Sequence, residues 1–241
     1  MRLEIAVQDV AGATTAARLG ADRLELCAAL AATGGLTPSH GLLDATLAAV
    51  PTEVGVHVLV RPRAGGFVYD ADELDVQVRD VRAAVAAGAA GVVVGALTPD
   101  GAIDLDALRA LVDAADGRET TFHRALDTVP DLARAIDDLA RAGVTRVLTS
   151  GGAARSVDGT VRLSETVAWS AGRVEVMAGG GVRPEDVSAL VATGVDAVHL
   201  SASRVVASTG GPGGGADGYT TTDPGVVAAA AAALGRGARV G

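Results

Sequence analysis

One phrase recurs four times along the chain and confines it to few folds: Leu19-Gly20-Ala21-Asp22-Arg23-Leu24-Glu25-Leu26, Ala87-Gly88-Ala89-Ala90-Gly91-Val92-Val93-Val94, Ala142-Gly143-Val144-Thr145-Arg146-Val147-Leu148-Thr149 and Thr193-Gly194-Val195-Asp196-Ala197-Val198-His199-Leu200. In each copy a glycine able to turn left-handed closes an Ala-rich helix, and a leucine or β-branched strand follows within four residues. Helix, glycine and strand in that order imply a parallel α/β array. Strand-like segments fall near residues 3–7, 23–27, 55–61, 91–97, 119–125, 146–150, 174–179 and 197–201, eight in all. Helical stretches between them begin at Thr37-Pro38, Asp70, Asp104, Pro130, Thr160 and Pro184. Eight βα units in 241 residues predict a single (β/α)8 barrel of the TIM type over residues 1–241. The competing open, doubly wound sheet usually carries a glycine-rich fingerprint after its first strand, and Gln8-Asp9-Val10 is not one. The loops at residues 28–39 and 62–70 are long, and the Gly- and Ser-rich stretch 208–222 is expected to be a mobile loop.

Such a barrel needs a core, and 49% hydrophobic against 20% charged residues supplies one, built from Ala, Val, Leu and Gly because aromatics are 2%. A formal charge of -9 argues against a nucleic-acid partner. The first ten residues run directly into a strand pattern rather than a signal peptide, and the longest apolar run, 83–97, is interrupted by Gly88, Gly91 and Gly95. The expectation is a cytoplasmic protein with no membrane partner. Cys27 is the only cysteine, which excludes an intrachain disulfide and a cysteine-rich zinc site.

In a barrel the aliphatic parity of each strand faces the helices and the other parity faces the axis. Glu4, Arg23, Glu25, Cys27, His57, Leu59, Arg61, His123, Glu175, Met177, His199 and Ser201 then point inward. Barrel axes are ordinarily filled with branched aliphatics, and buried charges are costly unless paired. Glu4, Arg23 and Glu175, deep in their strands, suit a structural ion-pair lattice as well as a functional role; His57 suits a core histidine. Cys27, Arg61, His123, His199 and Ser201, at strand ends, suit the mouth where barrel enzymes work. His40 is expected in a surface loop.

The segment Thr120-Thr121-Phe122-His123-Arg124-Ala125-Leu126-Asp127 is the densest in chemistry. His123 reads as a general acid or base oriented by Glu25 or Asp127. Ser150-Gly151-Gly152, Gly179-Gly180-Gly181 and Ser201 follow strands 6, 7 and 8, where backbone N–H groups commonly hold phosphate in barrels. Arg61-Pro62-Arg63, together with Arg124, adds guanidiniums suited to a carboxylate or phosphate, although Arg61 and Arg63 also have Glu25 or Asp127 as possible partners. No lysine stands at a strand end for Schiff-base chemistry, and no phosphate loop or hydrolase serine elbow occurs. Cys27, His57 and His199 share the inward parity and are the candidate metal ligands, with zinc or copper as the candidate ions.

Leu24-Glu25-Leu26-Cys27, Gly34-Gly35-Leu36-Thr37-Pro38-Ser39, Arg61-Pro62-Arg63, Leu97-Thr98-Pro99-Asp100-Gly101, Thr121-Phe122-His123-Arg124-Ala125, Leu148-Thr149-Ser150-Gly151 and the glycine run from Ala178 to Val182 occur in this order. Together they resemble the CutC family over about residues 1–204. The resemblance implies a cytoplasmic barrel, dimeric or higher, assigned to copper homeostasis and binding copper(I). Where that family commonly has Arg-Pro-Arg-Gly-Gly-Asp-Phe, often with a following cysteine, this chain has Arg61-Pro62-Arg63-Ala64-Gly65-Gly66-Phe67-Val68, without the acid or the soft ligand. The stretch after Arg204 also departs from the family. Two functions are therefore carried forward: copper handling through Cys27 and nearby histidines, and a barrel enzyme of isomerase, lyase or hydrolase type acting on a small anionic or phosphorylated metabolite.

Overall fold

Eight short strands, each buried on both faces, close a cylinder that leaves only its two ends open to solvent chemistry. A computed structural model describes residues 1–208 and 218–237 of the chain. The strands are β1 (Arg2–Val7), β2 (Arg23–Leu26), β3 (Gly55–Leu59), β4 (Gly91–Val94), β5 (Glu119–Phe122), β6 (Arg146–Thr149), β7 (Glu175–Gly179) and β8 (Ala197–Leu200). Each pairs in parallel with the next, and β8 returns to β1, so the barrel expected from the repeated phrase is the fold observed.

The two parities separate as the alternation requires. Leu3, Ile5, Leu24, Leu26, Val56, Val58, Val92 and Val94 join one large core shared with the outer helices. On the axis the apolar groups shrink to two small clusters, Cys27 with Leu59 and Val93, and Leu148 with Met177 and Ala197. The register aligns Glu4 with Arg23 and with His199, and Glu25 with His57, so charged residues lie side by side across neighbouring strands.

Local chemistry sets the helices. The segment Ala71–Ala87 starts at Asp70, which forms a capping box with Glu73, and ends at Gly88, whose φ of +101° a side-chain-bearing residue rarely adopts. The helix His40–Ala49 is capped by Ser39, so His40 opens a helix and pairs with Asp44 rather than lying in a loop. Among the described residues no helix is long and apolar enough to cross a membrane.

The glycine-rich stretch departs from expectation. Gly218–Thr222 is a strand, β10, paired antiparallel with β9 (Ser203–Ala207), so 218–222 is not loop; residues 209–217 lie outside the described residues. The hairpin docks on the turn after β1: Gln8 donates to the Thr220 carbonyl at 2.7 Å and Thr221 donates to Asp9 at 3.2 Å. Its strand character was masked by glycines that precede Tyr219 and the threonines.

Candidate functional site

The barrel axis carries two tiers of polar groups with different chemistry. In the lower tier Arg146 is fully buried and donates to Glu175 and Glu119, each at 2.8 Å, and to the Thr121 hydroxyl at 3.0 Å. Arg23 donates to Glu4 at 3.0 Å and lies 3.5 Å from Glu175. His57 stands 3.5 Å from Glu119, with its ring pressed on Gly91, where an added Cβ would come within 2.7 Å of Nδ1. Burial drives its pKa down to about 4, so the ring is neutral. These groups form the ion-pair lattice that closes the barrel floor, and His57 belongs to it, although Arg23 Nη1 and His57 Nδ1 have no hydrogen-bond partner among the described residues. Arg146 and Glu119 were not singled out in the sequence, although Arg146 lies two residues before inward Leu148 and Glu119 four before His123.

In the upper tier a cavity of about 220 Å³ opens at the carboxyl ends of the strands. Glu25, Arg61, His123, Arg124, Gly180, Gly181, His199 and Ser201 all line it, bringing together eight residues picked from the sequence. Leu30, Leu59, Phe67, Leu148 and Val182 supply apolar walls; of these, Leu30 and Phe67 carried no functional signal of their own.

Glu25 is 5% exposed and makes no hydrogen bond to the described residues; its nearest partner is His199 Nε2 at 3.9 Å. Burial raises its pKa to about 7, reinforced by Glu4 and restrained by His199. Burial acts downward on His199, but the Glu25 charge, a 2.8 Å hydrogen bond from Nδ1 to Glu4 and the Glu4 charge outweigh it and leave its pKa raised. Glu4, though buried, is held far below the usual carboxylate range by that hydrogen bond and by the charges of His199 and Arg23. Glu25 and His199 thus face each other as an electrostatic pair in the cavity.

His123 is arranged differently. Its Nδ1 accepts the Ala125 N–H at 3.2 Å, which places the ring proton on Nε2, and Nε2 is buried without a partner among the described residues. Burial and the Arg61 charge lower its pKa to about 4, so it is a neutral donor at physiological pH. Phe67 packs on the ring at 4.8 Å between centroids, and Gly95 leaves room for it, since a Cβ there would lie 2.3 Å from Cε1.

Asp127 does not orient His123. It accepts from Arg124 Nε at 2.8 Å, from the Ser150 N–H at 3.0 Å and from Thr149 and Gly152, because the turn after β5 folds back over the end of β6. Ser150, Gly151 and Gly152 thus frame Asp127 and stay out of the cavity, as does Gly179, where a Cβ would meet Leu148 at 2.5 Å. Asp127 holds Arg124, whose Nη1 makes no hydrogen bond to the described residues; it lies 3.0 Å from where a Cβ on Gly180 would sit. Gly180 and Gly181 have φ of +121° and +61°, and the N–H groups of Gly181 and Val182 find no acceptor among the described residues.

The arginine fork is redistributed. Arg61 donates to the carbonyls of Thr33, Gly35 and Gly65 at 2.7–3.0 Å, clasping the loops after β2 and β3 while its face rests on Phe67. Arg63 turns outward to Glu73 and the Val68 carbonyl and does not line the cavity.

The candidate metal ligands do not converge. Cys27 is fully buried behind Leu59, its thiol 3.6 Å from the Val7 carbonyl, and burial with the Glu25 charge pushes its pKa well up, away from the thiolate that binds metal. His57 serves the floor and His199 is bound to Glu4. Among the described residues no group of three His, Cys, Asp or Glu side chains is placed to hold a metal ion.

Residues 1–204 match the CutC family. A CutC protein of Agrobacterium fabrum is 46% identical over 206 residues, covering 85% of this chain and 80% of that protein. One from Caulobacter vibrioides is 46% identical over 216 residues, covering 89% and 84%. The crystal structure of a CutC from Streptococcus agalactiae, whose name carries a provisional copper-homeostasis assignment, is 32% identical and superposes with a TM-score of 0.78 over 83% of this chain and 97% of that one.

Proposed function

The chain belongs to the CutC family, and we propose that this member binds a small anionic metabolite at the barrel mouth and performs acid–base chemistry on it. The observation that carries the reading is Glu25, a buried carboxyl that no hydrogen bond from the described residues satisfies, facing His199 across the cavity. A carboxyl raised to about 7 is half ionised near neutrality, where a general acid or base works best. Arg124 Nη1 and the N–H groups of Gly181 and Val182 supply donors for the anion. The volume of about 220 Å³ lies below the ~300–1,000 Å³ typical of drug-sized ligands and suits a small metabolite. Inorganic phosphate at millimolar concentration is expected to raise the melting temperature of the wild type and to leave that of Arg124→Ala unchanged. An equal shift in both proteins would sink the reading.

Copper handling is the second reading, favoured by the name of the Streptococcus agalactiae relative and by the thiol of Cys27 one layer behind the cavity wall. The donors fit copper(I) poorly, since that ion takes thiolates and thioethers and Cys27 is a single, buried, protonated thiol. In a titration of copper(I) against a competing chelator, binding is expected to be the same in wild type and Cys27→Ala. Tight binding lost in Cys27→Ala would instead establish the copper role.

A further inference from the structure

We infer that the cavity is built to enolise its ligand: Glu25 removes a proton from a carbon next to a carbonyl, and His123 Nε2–H holds the oxygen that becomes negative. The inference rests on the anion-binding reading above and names its substrate class, a small carboxylate or phosphate ester with an exchangeable hydrogen α to a ketone or aldehyde.

Three features point to this division of labour. Among the described residues Glu25 makes no hydrogen bond and His123 Nε2 is buried without a partner, which gives the cavity an open acceptor and an open donor beside Arg61, whose Nη atoms are taken by backbone carbonyls and whose Nε is also unpartnered. The Ala125 N–H bound to Nδ1 fixes His123 as a donor from Nε2, so it can stabilise an oxyanion but is not placed to take a proton there. A neutral imidazole lining the same cavity as a carboxylate of raised pKa is the combination that enolisation uses, because a neutral donor strengthens its hydrogen bond as charge develops on the oxygen without first protonating the base. Phe67, Leu59 and Leu148 wall the site and keep water from the enolate.

The step balances within the ligand. The Glu25 carboxylate takes the α proton, the C–H pair becomes the C=C bond, and the carbonyl π pair moves to oxygen, where His123 Nε2–H meets it. Protonated Glu25 then returns the proton, either to the same carbon or, where that carbon carries a hydroxyl, to the former carbonyl carbon while the hydroxyl proton passes to the enolate oxygen and the O–H pair becomes the new C=O bond, which yields the isomer. No oxidant, reductant or metal enters. His199 is a positioning residue: its hydrogen bond to Glu4 holds the ring beside Glu25, where the imidazole favours the ionised carboxyl.

The test uses the full-length protein in deuterium oxide at neutral pD, with pyruvate and dihydroxyacetone phosphate as probes. Proton NMR follows loss of the α-hydrogen signal, and saturation transfer from the protein follows binding. A probe that binds is expected to exchange its α-hydrogens above the buffer rate. Glu25→Gln, shown folded by its melt, should keep binding and slow exchange by about 100-fold or more, and His123→Gln, which retains a neutral donor, should slow it less than His123→Leu. Binding that Arg124→Ala removes, with exchange at the buffer rate or unaffected by Glu25→Gln, would overturn enolisation and leave the anion site standing. Absence of binding by both probes would overturn the anion-binding reading and this one with it.

Discussion

Replacing Arg23 with methionine is expected to lower the unfolding free energy by about 3–5 kcal/mol, the usual loss when one partner of a buried ion pair is removed. Arg23 is 3% exposed and Glu4 is fully buried, and methionine keeps much of the side-chain length, so the loss comes from charge rather than from a cavity. Without Arg23, Glu4 retains only His199 within hydrogen-bond reach among the described residues, and Glu175 retains Arg146. For a chain of this length each kcal/mol moves the melting temperature by about 2–4 °C, so a fall on the order of 10 °C is expected. The exposed helix pair Arg79–Asp75 should show no comparable loss when Arg79 becomes methionine. A drop in Arg23→Met no greater than in Arg79→Met would mean that the floor lattice does not hold the barrel together.

Glu25→Gln is expected to do the opposite at alkaline pH and make the protein more stable. An ordinary glutamate titrates at 4.5, and folded Glu25 is raised to about 7 by burial. A carboxyl raised on folding favours the folded state fully below about 4.5, and that contribution is lost as pH rises through 7, an amount of about 3 kcal/mol. Glutamine carries no such dependence. Urea unfolding should therefore find the two proteins alike near pH 4.5 and Glu25→Gln more stable by about 3 kcal/mol at pH 8. A variant no more stable than wild type at pH 8 would mean that Glu25 is not held in a desolvated site. A residue that weakens the fold at working pH is what a functional group looks like in energetic terms.

The barrel was legible because its evidence is local: the glycine that ends each helix and the strand that follows within four residues repeat at regular spacing. The inward parity was legible for the same reason, and it brought Glu25, Arg61, His123, His199 and Ser201 to one cavity. Pairings were not, because they depend on how far each strand is staggered against residues distant in sequence. Glu25 was expected beside His123 and faces His199, and Asp127 was expected beside His123 and binds the end of β6. Arg63 was read as half of a ligand fork from its place beside Arg61, whereas Glu73 on the next helix draws it outward. Cys27, His57 and His199 share one parity but turn to different partners, Leu59, Glu119 and Glu4, which a parity argument alone does not resolve.

The most direct measurement is a pH titration of the side-chain carboxyl carbons by ¹³C NMR, with the Glu25 signal assigned by its disappearance in Glu25→Gln. The account expects a midpoint near 7, carried along by the titration of His199 beside it. A Glu25 midpoint near 4.5, the value of a carboxyl in water, would contradict it.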